Sequence, residues 1–212
     1  MDSHEGLSAG GESMSIVTLV SGGIDSSLMA LLAKKEGIIQ HPLFIDYGQL
    51  GREKELSACR AILAAHGLPE PVAMSLSGFG ENISSGITDR KKDIFADAFL
   101  PGRNLLFLLA GAAYAYQVNA SAVAIGLLNE ETHLFPDQTG QFLIQAEAML
   151  SLCMGRKIRI IAPLMQCYKS DVLQLAKRYG LTGTYSCQNG LDEPCGICVS
   201  CKELFSAQRK EE

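Results

Sequence analysis

The 212-residue chain has no apolar run long enough to cross a membrane. Its longest, residues 105–116, falls well short of the ~18–20 residues a helical span needs. It has no surplus of positive charge, with 18 Lys and Arg against 23 Asp and Glu for a net charge of −5. A broad electrostatic grip on nucleic acid is therefore not expected, nor a membrane partner. Residues 1–13 show no secretion-type pattern of basic, apolar and small residues, so a cytoplasmic location is expected. No internal repeat or low-complexity tract is present. The chain also lacks the Gly-Lys-Ser/Thr ending of a Walker loop and any GxGxxG, which removes the two commonest phosphate-binding fingerprints.

Cysteine is plentiful by comparison, at seven residues. An odd number without a secretion signal reads poorly as a disulfide framework and better as metal or redox chemistry. Cys187, Cys195, Cys198 and Cys201 cluster near the C-terminus, while Cys59, Cys153 and Cys167 stand apart and are expected to be small buried hydrophobes. Apolar residues at 47% and charged residues at 19% give an ordinary globular balance. The length suits one α/β domain with a small appendage. Residues 1–13, polar and Gly/Ser-rich, are expected to be disordered ahead of a natural start at Met14. Residues 14–183 form the α/β domain and 184–212 a cysteine-bearing segment in which apolar periodicity fails.

Within the domain, short β-branched or apolar runs alternate with helical periodicity. Strands are expected at 16–20, 42–46, 71–74, 122–125 and 158–161. A helix carrying Leu28, Leu31 and Leu32 stops at Gly37; further helices span 51–66, 103–118, 138–154 and 169–179. Residues 76–100 are polar and Gly/Ser-containing, which suggests a loop over a site rather than core. This alternation predicts a doubly wound, five-stranded parallel sheet with ligands at the carboxyl ends of the strands.

Two motifs carry chemistry. Ser21-Gly22-Gly23-Ile24-Asp25-Ser26-Ser27 stands between the first strand and the first helix. Its glycines let the backbone approach a ligand closely, and successive N–H groups at a helix start make an anion cradle that Ser21, Ser26 and Ser27 supplement. Asp25 suits a helix cap or a Mg²⁺-linked ligand. The bland alternative is a capped glycine turn. Cys187-x7-Cys195-x2-Cys198-x2-Cys201 can close a tetrahedron of sulfurs, with structural zinc as the expected occupant and an iron–sulfur cluster as the alternative.

The SGGxDS loop resembles the pyrophosphate loop of the PP-loop ATPases. Further segments extend the resemblance from Ser15 almost to the end: Asp46-Tyr47-Gly48-Gln49, Leu100-Pro101-Gly102-Arg103-Asn104, Phe135-Pro136-Asp137, Pro163-Leu164 and the CGxCxxC knuckle. As a set they resemble the 7-cyano-7-deazaguanine synthase family, the queuosine-pathway branch of the PP-loop ATPases. The resemblance implies an ATP-dependent C–N ligase acting on a deazapurine carboxylate, 7-carboxy-7-deazaguanine, with ammonia. It implies ATP, Mg²⁺ and Zn²⁺ as cofactors, and a homodimer. Val20, Ser21, Gly22, Gly23, Ile24, Asp25, Ser26 and Ser27 are then cofactor-binding. Asp25, Lys169 and Arg103 are expected to be catalytic. Asp46, Tyr47, Gln49, Arg103, Asn104 and Asp137 are expected to bind substrate. Blander roles stand beside these: a surface helix start for Arg103, an exposed first-turn lysine for Lys169, a helix cap for Asp137. His133 is expected to be a loop residue.

The chain departs from the family pattern where Leu50-Gly51 replace Arg-His, Gln138-Thr139 replace Cys-Arg, and Leu204 replaces an Arg. A divergent paralogue coupling a related carboxylate to a different amine or protein acceptor is therefore the alternative. RNA thiolation and a non-catalytic nucleotide-binding module are weaker readings.

Overall fold

The computed structural model describes residues 14–129, 131 and 134–209. The expectations for residues 1–13 and for His133 lie outside them. In chain order the elements are β1 (Ser15–Leu19), α1 (Ile24–Lys35), β2 (Ile39–Asp46), α2 (Arg52–Ala65), β3 (Val72–Ser75) and α3 (Ser77–Asn82). They continue with α4 (Arg103–Gln117), β4 (Ala122–Ala124), α5 (Gly140–Met154), β5 (Arg159–Ile161), α6 (Lys169–Arg178) and α7 (Val199–Gln208). The five strands form one sheet in the order β3-β2-β1-β4-β5. All four pairings are parallel. The expected α/β architecture is the one observed.

Strand residues alternate between two helical layers, as a period of two requires. Val17, Leu19, Leu43 and Val123 join Leu108 and Ala112 of α4 and Leu150 of α5 in one buried cluster. On the other face Ile16, Ala122 and Ala124 meet Leu28 and Met29 of α1 and Val172 of α6. Val20 and Phe44 meet Cys59 and Leu63 of α2. Each fully buried aliphatic side chain contributes about 1.5–3 kcal/mol. Because β1 sends its chain one way across the sheet and β4 lies on its other side, the strand order reverses between them. That reversal opens a crevice at the carboxyl ends of β1 and β4.

Three differences from the sequence reading have physical causes. β2 starts at Ile39, so Pro42 lies inside a central strand. Val20 N–H donates to Leu43 O, so Leu43 points its polar groups at β1 and its neighbour Pro42 faces the β3 side. Pairing with β3 begins only at Leu43–Val72, so the missing N–H of Pro42 costs no ladder bond. Residues 76–100 are partly core: they contain α3, and Ile87, Ile94, Ala98 and Leu100 are buried in the main cluster. Among the separate cysteines, Cys59 is buried as expected, but Cys153 is exposed and Cys167 half-buried.

Candidate active site

The loop after β1 is shaped by a glycine that nothing else can replace. Gly22 adopts φ +76°, and a Cβ there would lie 2.3 Å from Glu55 O and 2.8 Å from Cys59 N of α2. The loop is closed by its own hydroxyls. Ser21 N–H donates to Ser26 Oγ at 3.1 Å, the two serine hydroxyls share a 3.0 Å bond, and Ser26 Oγ–H donates to Gly23 O. The α1 N-cap, Gly23, supplies no side-chain cap. The first-turn N–H groups of α1 are thus offered to a ligand. Ile24 and Ser27 are buried behind the loop, whereas Val20, Ser21, Gly23, Asp25 and Ser26 line a cleft.

That cleft has two lobes, of about 260 and 270 Å³, joined along Asp25, Gly126, Leu127, Gln138, Lys169 and Glu203. At the junction α1 and α6 begin side by side. Lys169, the first residue of α6, donates from Nζ to both Asp25 oxygens, at 2.8 and 2.7 Å. The pair is partly shielded, with side-chain exposures of 14% and 28%. Glu203 arrives from α7; burial pushes its carboxyl upward, Lys169 pulls it back and Asp25 adds to the rise.

The second lobe is aromatic. Tyr47, Phe107 and Phe135 line it, the Tyr47 and Phe107 rings stand 5.1 Å apart, and the Arg103 guanidinium lies 5.9 Å from each of these two ring centres. Burial pushes Tyr47 up to about 12 against the pull of Arg103, so its hydroxyl stays protonated at neutral pH. Gln49 bridges two chain levels: it accepts from Tyr47 N–H through Oε1 and donates through Nε2 to Ile45 O and to Glu55 Oε2 at 3.0 Å. Burial raises Glu55 to about 7, with the Gln49 bond and the Arg103 charge opposing the rise.

The structure thus gathers Asp25, Lys169, Tyr47, Gln49, Arg103 and Asn104 on one cleft. It does not bring Asp46 or Asp137 there. Asp46 accepts from Gly48 N–H and pairs with Arg52. Asp137 holds the start of α4, accepting from Asn104 N–H with Oδ2 and from Asn104 Nδ2 with its carbonyl. Of the positions that depart from the family pattern, only Gln138 lines the cleft; its Oε1 is taken by the N–H groups of Leu134 and Phe135. Glu55, Glu203, Tyr185 and Gln188 also line it, and none was singled out from the sequence. Glu55 lies in the first turn of α2, shortly after the Asp46–Gln49 motif, and Glu203 lies two residues past the last clustered cysteine on α7. That placement was the available signal.

The four clustered cysteines bring their sulfurs within 4.8 Å of one another. With metal–sulfur bonds of about 2.3 Å, a tetrahedral ion sets its thiolates roughly 3.8 Å apart, so the spacing suits one four-coordinate ion. Cys198 N–H donates to Cys195 Sγ and Cys201 N–H to Cys198 Sγ. Burial opposes the Cys195 thiolate, but the N–H groups of Cys198 and Ile197 and two neighbouring thiols bring it down to about 7. The cluster is also structural for the cleft. Tyr185 N–H donates to Gly22 O at 2.9 Å, and Ser186, Gln188 and Ser200 form one wall.

A parallel sheet with a glycine–serine loop at its switch point and a four-cysteine cluster defines a PP-loop type of α/β protein. Two solved structures share the fold. One is a 4-thiouridine synthetase–RNA complex with bound ATP (TM-score 0.52, 20% identity, 93% of this chain and 50% of that one). The other is the U34-tRNA thiolase NcsA from Methanococcus maripaludis with its [4Fe-4S] cluster (TM-score 0.52, 16% identity, 94% and 66%). A family model described as Queuosine biosynthesis protein QueC matches residues 15–210. Proteins named 7-cyano-7-deazaguanine synthase are 34% identical in Nitratiruptor sp. (89% of this chain, 91% of the relative) and 33% identical in Prochlorococcus marinus (94% and 95%). The one from Campylobacter curvus is 30% identical (88% and 89%). The chain belongs to the QueC family, an ATP-dependent C–N ligase family of queuosine biosynthesis. Among the described residues, no helix is long and apolar enough to cross a membrane.

Proposed function

We propose that the chain converts 7-carboxy-7-deazaguanine, ammonia and ATP to 7-cyano-7-deazaguanine. One observation carries the reading beyond family membership: the phosphate-type loop, the Asp25–Lys169 pair and the aromatic lobe under Arg103 open on a single cleft. A carboxylate is a poor electrophile until one oxygen becomes a good leaving group. Attack of that oxygen on the α-phosphate of ATP gives an acyl adenylate and pyrophosphate. Ammonia then displaces AMP to give the amide. A second activation of the amide oxygen and loss of AMP and a proton give the nitrile.

The residues divide this work by chemistry. The first-turn N–H groups of α1, with Ser21 and Ser26, suit the departing pyrophosphate. Lys169 offers positive charge to the phosphates from a position that Asp25 holds. Asp25 is also the carboxylate suited to Mg²⁺, which would neutralise phosphate charge. The aromatic faces of Tyr47 and Phe107 suit a flat heterocycle, and Arg103 suits its carboxylate. Zinc is the metal we assign to the cysteine cluster. A four-iron cube, with an iron behind each thiolate, needs its sulfurs farther apart than 4.8 Å. All four ligands come from the protein, so the ion's part is structural. The same reading carries a cytoplasmic homodimer.

Mass spectrometry of the metal-loaded protein with ATP and 7-carboxy-7-deazaguanine should find the adenylate. If protein that binds ATP yields no adenylate, amide or nitrile at saturating acceptor, the reading moves to a different carboxylate or amine.

A further inference from the structure

The aromatic lobe carries two acceptor oxygens that the protein itself does not use. Gln49 donates to Glu55 Oε2, while Oε1 of the same half-buried carboxylate has no hydrogen bond among the described residues. Gln188 Oε1 is buried on the same lobe and also unpartnered. A buried acceptor left unpaired costs about 1–3 kcal/mol, so Gln188 Oε1, with the open Glu55 Oε1 on the same lobe, points to a ligand that brings N–H donors.

Local sequence makes room for this arrangement. A Cβ on Gly51 would lie 3.0 Å from Glu55 Oε1 and 3.3 Å from Cys187 O. The bare glycine therefore leaves the carboxylate its position beside the Cys187–Gln188 segment. The rings of Tyr47, Phe107 and Phe135 line the same lobe. A flat ring packed among these side chains can present an edge to the two acceptors.

We propose that Glu55, with Gln188, reads the amino-bearing edge of a purine-type base, and that Gly51 is the residue that permits it. This deepens the proposed function and rests on it. Two ligands of that reaction carry such an edge: ATP through its 6-amino group, and the deazaguanine acceptor through its N1–H and 2-amino group. In either case a carboxylate and an amide oxygen accept from N–H groups, a pairing that a base without the amine cannot satisfy.

The test is calorimetric binding to wild type, Glu55→Gln and Gly51→Ala, with folding of each checked by thermal melting. One arm uses ATP against its analogue without the 6-amino group. The other uses 7-carboxy-7-deazaguanine against its analogue without the 2-amino group. In one arm, wild type should bind the amine-bearing ligand about 10–100-fold more tightly than its analogue. Glu55→Gln should lose most of that preference, leaving affinity for the analogue nearly unchanged, and Gly51→Ala should weaken it in the same arm. The arm that responds identifies the base. Wild type and Glu55→Gln preferring the amine equally in both arms would overturn the inference alone. Wild type that binds neither ATP nor the acceptor would overturn the proposed function and the inference with it.

Discussion

Replacing Cys201 with serine is the perturbation whose size follows most directly from the structure. Cys201 sits in the first turn of α7, 2% exposed, with its sulfur 4.0 Å from that of Cys195. Structural zinc in such sites contributes about 10–16 kcal/mol, against a total stability of roughly 5–15 kcal/mol for a domain. If the four thiolates share that energy, losing one costs roughly 2.5–4 kcal/mol. For a chain of this size each kcal/mol lowers Tm by about 2–4 °C, so the variant should melt roughly 5–16 °C lower. The effect should reach beyond the C-terminal segment, because Cys187, Cys198, Val199 and Cys201 share one buried cluster with Val17 of β1 and Leu108 of α4. The assay is Tm together with elemental analysis of anaerobically purified protein. One equivalent of tightly held zinc and an unchanged Tm in Cys201→Ser would refute the assignment of Cys201 as a ligand. Iron with acid-labile sulfide in the wild type would refute zinc.

Asp25→Ala should keep the fold, since Asp25 lies at the cleft surface, yet lower AMP release by at least about two decades as Lys169 loses its anchor; normal turnover would remove the loop from the chemistry. Gly22→Ala should destabilise by several kcal/mol or yield no folded protein, because its Cβ must displace the α2 backbone at 2.3 Å; an unchanged urea midpoint would contradict the loop geometry. Glu55 has its pKa raised from 4.5 to about 7, so the folded state holds that proton more tightly than the unfolded chain. Its contribution is fully present below about pH 4.5 and is lost as pH rises through about 7, a fall of about 3 kcal/mol. Urea unfolding across that range should show the slope in wild type and lose it in Glu55→Gln; identical slopes would contradict the burial of that carboxyl.

The sheet was legible because each buried strand is a short β-branched or apolar run bounded by glycine or by a helical pattern, and because SGGIDSS and CGICVSC stand out by spacing. Elements without periodicity were not. α3 contains two glycines in six residues, and α7 carries a knuckle cysteine and mixed polar residues with no clear apolar face, so both lay in stretches without helical patterning. β2 extends past Pro42 to Ile39, and the side to which the missing N–H of Pro42 would point emerges only from the pairing of β3. In the site, residue types were legible but directions were not. Asp137 and Asp46 look like pocket carboxylates in the sequence, but both turn to backbone N–H groups, of Asn104 and Gly48 respectively. Glu55 and Glu203 look like ordinary helix-surface acids until the packing of α2 and α7 places them on the cleft.

Under the proposed function, one cleft activates a deazapurine carboxylate with ATP and passes it to ammonia. The most direct test is to incubate zinc-loaded protein with 7-carboxy-7-deazaguanine, ¹⁵N-ammonia and ATP, then count products by mass spectrometry and nucleotide analysis. The expected products are 7-cyano-7-deazaguanine with ¹⁵N in its nitrile, AMP and pyrophosphate, with two AMP released per nitrile. ADP and phosphate as the only nucleotide products, or ATP consumption that is indifferent to the acceptor, would contradict the proposed function.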